Sequence, residues 1–402
     1  ALAYEAAEDH LRRALGLLDA APAGRERDRQ ELDLQDRLAA LLTQVKGVAV
    51  AETAAAWSRA TALCREVEDR RRLLPSLWGS LSYAWASGDA EGARGLGEHI
   101  LRLGRASAEP VVTAAAHLGL GSVDLCCGDL VNGTRHLGAG KELADGVADH
   151  ALADVTYADL RVQVDSWLAM ALHLQGGHDE GRLLIDGAIG RARRQGDPFT
   201  VALGLAFGVF GGVIGGAVEE ARRLAEELLE HSERYRMVDF AYHARVVRIW
   251  TMSKDAEGAD DVISLTNDLP AAAEAGIRPW RPFWLALQAE VWQESGRLEE
   301  AGRCVEAALS EVEAMGSSFC VAELYRLRGE LLATTAPDRH ADALADVREA
   351  VRLAGAQGAV VYRERAEASL ARLGPTSRGH GHDRREVGAR ARARPRSRRP
   401  DH

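Results

Sequence analysis

Between residues 298 and 315 the apolar side chains fall at Leu298, Ala301, Val305, Ala308, Val312 and Met315, alternating steps of three and four that trace one face of a helix. Glu299, Glu300, Arg303, Glu306, Glu311 and Glu313 fill the other positions and read as a solvated face. Val218, Ala221, Ala225 and Leu228 repeat the pattern. Such faces recur along the chain, each following a turn with a small residue five positions later. The turns read Ser87-Gly88-Asp89 with Ala93, Gly128-Asp129 with Gly133, Gly176-Gly177 with Gly181, Gly215-Gly216 with Ala221, and Ser295-Gly296-Arg297 with Ala301. A degenerate copy stands at Ser253-Lys254-Asp255-Ala256.

Successive turns are about 40 residues apart, which is room for two helices of roughly 15 residues, a turn and a linker. One such hairpin cannot bury its apolar face alone, so the units must stack. The turn glycine is expected to end the first helix in a left-handed conformation, and Asp89 and Asp129 to cap the second. The small residue lets the two helices approach closely. Units are expected at about 71–108, 109–148, 150–196, 197–235, 236–276, 277–316 and 317–357, with a closing helix to Leu373. Residues 1–70 read as irregular N-terminal helical repeats, 71–373 as the solenoid, and 374–402 as a disordered arginine-rich tail.

Phe199 to Ala217 departs from this amphipathic pattern: nineteen residues carry no formal charge, and six are glycine. Its length reaches the membrane-spanning range. Asp197-Pro198 before it reads instead as the cap and first-turn proline of a buried helix, which is the reading preferred. Its internal glycines mark it as an expected soft point. Composition agrees with an all-helical chain. Of 402 residues 71 are alanine, the best helix former, and only 5% are aromatic.

Leu120-Gly121 before Gly128, Leu168-Ala169 before Gly176 and Trp292 before Gly296 resemble the tetratricopeptide-repeat pattern, with a period longer than that family's 34 residues. Three longer motifs are similar to the tetratricopeptide-like (MalT-like) region of bacterial signalling ATPases and LuxR-type transcriptional regulators. They are Pro75-Ser76-Leu77-Trp78-Gly79, Ser295-Gly296-Arg297-Leu298-Glu299-Glu300-Ala301, and the run from Ala322 to Leu332 that reads AELYRLRGELL. The resemblance covers roughly residues 1–373. It implies an all-α fold, an α-solenoid of helical hairpins in a right-handed superhelix. It further implies a sensor or scaffold that binds a protein, a peptide or a small-molecule effector. In such proteins an NTPase module precedes the repeats; no Gly-x-x-x-x-Gly-Lys-Ser/Thr loop occurs in this sequence. The chain opens at Ala1 inside a predicted helix, with no charged-then-apolar leader, and is read as part of a longer protein. A stand-alone interaction protein is the alternative, and an enzyme with an unrecognised helical active site a third.

Net charge is −10, unevenly spread. The last 28 residues carry nine arginines against Asp383, Glu386 and Asp401, leaving −16 on the body. An acidic body lacks the basic footprint that phosphates need, so no direct nucleic-acid contact is expected from residues 1–373. The tail reads as a disordered linker, with a basic docking arm as the alternative. Five irregularly spaced cysteines fit a reducing cytoplasm, and Cys126-Cys127 read as residues at a helix end.

No catalytic, cofactor or metal motif is found. Gly119-Leu120-Gly121 lacks the third glycine of a dinucleotide loop and sits within a helix. His380, His382 and Asp383 lie in the tail without a scaffold, and His173 and His178 read as surface residues flanking a turn. Most of the eight tryptophans are expected to fill gaps between alanine-lined helices. Trp280-Arg281-Pro282-Phe283-Trp284 stands out as a candidate exposed patch, with Trp280, Phe283 and Trp284 as partner-binding residues.

Overall fold

The computed structural model describes residues 2–18, 20–148, 156–255, 259–269 and 276–374. Among these there are eighteen α-helices and no strand. They run α1 Leu2–Leu18, α2 Arg25–Val45, α3 Ala51–Val67, α4 Arg70–Ala86, α5 Ala90–Ser107, α6 Pro110–Cys126, α7 Leu130–Asp145, α8 Leu160–Leu174 and α9 His178–Gln195. Then come α10 Pro198–Ile214, α11 Val218–Tyr235, α12 Val238–Met252, α13 Ala259–Asn267, α14 Arg281–Glu294, α15 Leu298–Met315, α16 Val321–Thr335, α17 His340–Gln357 and α18 Val360–Leu373. Each helix packs on the next in sequence. Helices α8, α10, α12, α14, α16 and α18 also pack on one another in order, forming the inner layer of an α-solenoid.

Local chemistry explains the hairpins. Gly88, Gly128, Gly176, Gly216 and Gly296 all adopt positive φ between +71° and +86°, so the turn glycines end their helices as the sequence predicts. Asp89, Asp129 and Asp197 each accept a hydrogen bond from the backbone amide three residues on, capping α5, α7 and α10. The small residues five positions after the turns are buried in all five units. A methyl group added at Gly133 would lie 3.1 Å from the Leu125 amide nitrogen, which is the close approach of α6 and α7.

The coil comes round on itself. The loop before α16 reaches the end of α6, where the Phe319 amide donates to the Cys126 carbonyl (3.1 Å) and the Ser317 hydroxyl to that of Cys127. Arg365 on α18 donates to the Ile214 carbonyl at the end of α10 (2.8 Å). Helix α10 therefore sits at the centre of the packing, and every residue from Phe199 to Ile214 is buried. That is what an apolar, uncharged helix requires in water. Its glycines are contact points rather than loose places: a methyl at Gly212 would meet Ala221 at 3.0 Å, and one at Gly211 would meet His173 at 2.7 Å. No helix among the described residues is long and apolar enough to cross a membrane. The arginine-rich tail and the His380, His382 and Asp383 cluster lie outside the described residues.

Candidate functional site

Aromatic side chains from the inner helices converge on the solenoid axis. Trp167 of α8 stacks on Trp280 (centroids 5.4 Å apart, planes at 24°), and Trp85 of α4 meets Trp167 edge-on at 5.5 Å. Phe210 of α10 lies 4.3 Å from Trp280 and 4.8 Å from Trp284. Phe319 closes the cluster at 5.6 Å from Trp280. Such edge and offset contacts stabilise the cluster beyond area burial alone.

This corrects the expectation of an exposed patch. Trp280, Phe283 and Trp284 are 2%, 3% and 1% exposed. Arg278–Trp280 forms a single 3-10 turn leading into α14, and the rings are buried because covering three large apolar surfaces is favourable. Trp280 faces the axial cavity; Phe283 and Trp284 pack behind it.

The cavity, about 90 Å³, lies between α8, α10, α12 and the turn joining α2 to α3. Tyr157, Trp167, Phe199, Phe207, Phe210 and Phe240 contribute aromatic wall. The turn Lys46-Gly47-Val48 closes one side, held by the Thr53 hydroxyl donating to the Gly47 carbonyl (3.1 Å). Lys46 is turned to Glu8 (2.8 Å) and Glu52 (2.9 Å), and hydrogen bonding to its ammonium holds the Glu8 carboxyl below its ordinary range. Val238, 73% exposed, stands among the lining residues as an apolar side chain in solvent.

Two titratable groups on α12, one helical turn apart, enter this apolar space. Asp239 presses its carboxylate against backbone: a methyl at Gly47 would lie 2.4 Å from its Oδ2, and one at Gly276 2.6 Å. No hydrogen bond or ion pair reaches it among the described residues, and burial pushes the acid up to about 6. His243 is 5% exposed, stacks on Trp284 (4.6 Å, 27°), and keeps Nδ1 buried without a hydrogen-bond partner. Burial pulls its imidazole down to about 3, so it is neutral at physiological pH.

Sequence reading passed over both residues. A signal was present: Asp239, His243, Val246 and Trp250 follow steps of four, three and four, so two polar groups occupy the buried face of an apolar helix.

Further along the inner layer, an open groove of about 650 Å³ is lined by charged side chains. Its centre is Glu323, which accepts two hydrogen bonds from Arg326 (2.9 and 2.7 Å) and one from Arg365 (3.3 Å). Arg326 also reaches Glu330 at 2.9 Å, and Trp250 Nε1 donates to Glu290 at 2.7 Å. The charges are paired, and the network ties α12, α14, α16 and α18 together. It falls on the AELYRLRGELL run, whose Glu323, Arg326 and Glu330 share one helix face.

Two histidine pairs bridge neighbouring helices, His117 with His136 (2.9 Å) and His173 with His178 (3.2 Å). His173 is buried, not on the surface as expected, because Gly181 and Gly211 leave it space. Burial pulls His117 and His173 each down to about 4, with the partner imidazole adding to it. The five cysteines are free, and burial raises the Cys126 and Cys320 thiols well out of the reactive range. Among the described residues no three His, Cys, Asp or Glu side chains are grouped to hold a metal ion.

No family model matches the sequence. An uncharacterized protein of Rhizobium meliloti (strain 1021) is 26% identical over 156 residues, 39% of this chain. The chain spans only 15% of that relative's length. Among solved structures, a Rap protein complexed with competence and sporulation factor superposes with a TM-score of 0.52 at 13% identity, covering 92% of this chain and 99% of that one. The human IFIT1 dimer with m7Gppp-AAAA gives 0.51 at 14% identity, covering 92% and 77%. At such identities the likeness is one of fold, and it bears out the α-solenoid. These comparisons do not show the LuxR-type or signalling-ATPase context. Nor does the fold itself exclude nucleic acid, so that expectation rests on charge alone.

Proposed function

We propose that this chain is a binding scaffold whose axial pocket takes a side chain of a protein or peptide segment. Binding is reported through the packing of the inner helices. The observation that carries this reading is His243. A buried imidazole with an unpaired nitrogen is costly, and its ring lines a cavity together with the Asp239 carboxylate, which has no hydrogen bond or ion pair among the described residues. Aromatic walls with a few polar groups are the usual make-up of a ligand pocket. Helices α8, α10 and α12 all border the cavity, so a ligand there touches three inner helices at once.

The resemblance to MalT-like regions supports a further reading, that the scaffold is the sensor part of a signalling ATPase or LuxR-type regulator. An in-frame phosphate-loop motif in the full-length reading frame tests that part.

Binding is tested with a peptide array probed with the chain and with Val238→Trp, which blocks the pocket at an exposed residue and leaves the core intact. Captured peptides are expected to be lost with the variant. Equal capture by both proteins, with matching melting curves, would show that binding does not use this pocket.

A further inference from the structure

The pocket's polar groups are unequally satisfied. The Thr43 hydroxyl donates to the Ala39 carbonyl (2.8 Å) and accepts from Trp57 Nε1 (3.1 Å). The Gln163 amide donates to the Thr156 hydroxyl (2.8 Å) and the Ala158 carbonyl (3.1 Å). The Lys46 ammonium is held by two glutamates. The Tyr157 hydroxyl donates to that of Ser82 (3.2 Å). Of the titratable groups in the lining, that leaves the Asp239 carboxylate, with no hydrogen bond or ion pair among the described residues, and the His243 imidazole, whose Nδ1 has no partner.

Charge then selects the occupant. An anion would meet the Asp239 carboxylate, and the one ammonium in the lining, that of Lys46, is already held by two glutamates. A neutral apolar group would leave the Asp239 charge desolvated and unanswered. A cation gains, since the carboxylate neutralises it and aromatic rings in the wall attract positive charge rather than negative. His243, neutral because it is buried, does not repel that cation. Size narrows the class further. A cavity of roughly 150 Å³ holds benzene; one of about 90 Å³ holds a single small head group and not a nucleotide.

Building on the scaffold reading, we infer that the pocket receives the ammonium or guanidinium head of a lysine or arginine side chain from the bound segment. Its charge lies against Asp239, in a pocket walled largely by aromatic side chains. Above about pH 6 Asp239 is ionised and ready for it, and the bound cation draws its acidity back toward normal.

The test is calorimetric titration of the full chain with capped tripeptides, acetyl-Gly-Xaa-Gly-amide, with lysine, arginine, norleucine or glutamate at the centre. Lysine and arginine peptides are expected to bind at least about tenfold more tightly than norleucine or glutamate peptides. Asp239→Asn, an isosteric change that removes an unpaired charge and keeps the fold, is expected to abolish that preference. Norleucine binding as tightly as lysine, or a preference that survives in Asp239→Asn, would overturn the inference. Free butylammonium is the third arm; binding as tight as that of the lysine peptide would overturn the side-chain source in favour of a free amine. The two readings fail separately. If the tripeptides do not bind while array capture still depends on Val238, the cation site falls and the scaffold stands. If Val238 is also irrelevant, both fall.

Discussion

The backbone amide of Phe319 donates to the carbonyl oxygen of Cys126 across 3.1 Å, fastening the loop between α15 and α16 onto the far end of α6. Gln357 Nε2 donates to the Ser318 carbonyl at 2.9 Å from the opposite side. A repeat protein contacts mainly its nearest neighbours. This fastening adds a long-range clasp that bends the array into a closed coil.

Gly128 is the weak point of the clasp. Its φ is +84°, and a methyl there would lie 2.3 Å from Gln357 Nε2. Gly128→Ala is expected to cost more than about 1 kcal/mol, because alanine is strained at positive φ and must also displace Gln357. Gly296 has similar φ and open space around it, so Gly296→Ala carries the conformational cost alone. Urea denaturation of both variants checks the ordering; equal losses would mean the clasp contributes nothing at Gly128.

Helix α10 is expected among the slowest amides to exchange, despite the glycines that mark it as soft in the sequence. Exchange follows burial and packing rather than propensity, and α10 is covered by α8, α9, α11 and α12. Gly212→Val should lose about 1–3 kcal/mol through overpacking against Ala221. Deuterium uptake followed by mass spectrometry decides the first point, and fast uptake across Phe199–Ile214 would restore the soft-point view.

Acid should destabilise this protein through its buried histidines. His243 takes a proton near 6.5 when unfolded but only near 3 when folded, so its contribution is complete above about 6.5 and is lost as pH falls toward 3. His117 and His173, pulled down to about 4, act in the same direction. Asp36 and Asp239 act oppositely: both are raised to about 6, and their contribution is present in acid and lost as pH rises through 6. His243→Phe keeps the stack on Trp284 and removes one proton from the balance. Between about pH 6 and 4 its stability should fall less steeply than that of the wild type, by up to about 1.4 kcal/mol per pH unit. Denaturant midpoints across that range measure it, and parallel curves would refute it.

Removing one member of the buried ionic network should be more costly than any surface change. Glu323 is 4% exposed and answers both Arg326 and Arg365. Burial opposes its charge, but the Arg326 and Arg365 guanidiniums outweigh it and hold the carboxyl below its ordinary range. Glu323→Gln leaves the Arg326 guanidinium short of its bidentate partner and should cost about 3–5 kcal/mol. Arg372→Ala, at the exposed end of the same network, should cost about 1 kcal/mol or less. Thermal melts of the pair test whether burial sets the hierarchy.

The hairpins were legible because their determinants are local. A turn glycine, an aspartate that caps three residues on, and a small residue five positions later act within one or two helical turns. So the period, the faces of α11 and α15 and the caps of α5 and α7 can be read from spacing alone. The site was not legible in that way. Trp280, Phe283 and Trp284 carry no local mark that separates an exposed anchor from a core ring. Their burial follows from Trp167, Phe210 and Phe319, which arrive from three other units.

By itself the amino-acid sequence determined an all-helical chain of stacked hairpins and where each hairpin turns, since backbone conformation and helical period depend on near neighbours. Only the tertiary structure decided which inner faces meet, that the coil fastens Phe319 to Cys126, and that Asp239 and His243 share an aromatic cavity in which neither finds a hydrogen-bond partner among the described residues. Those outcomes depend on how small rotations between successive hairpins add up over the whole array. No single repeat encodes that sum.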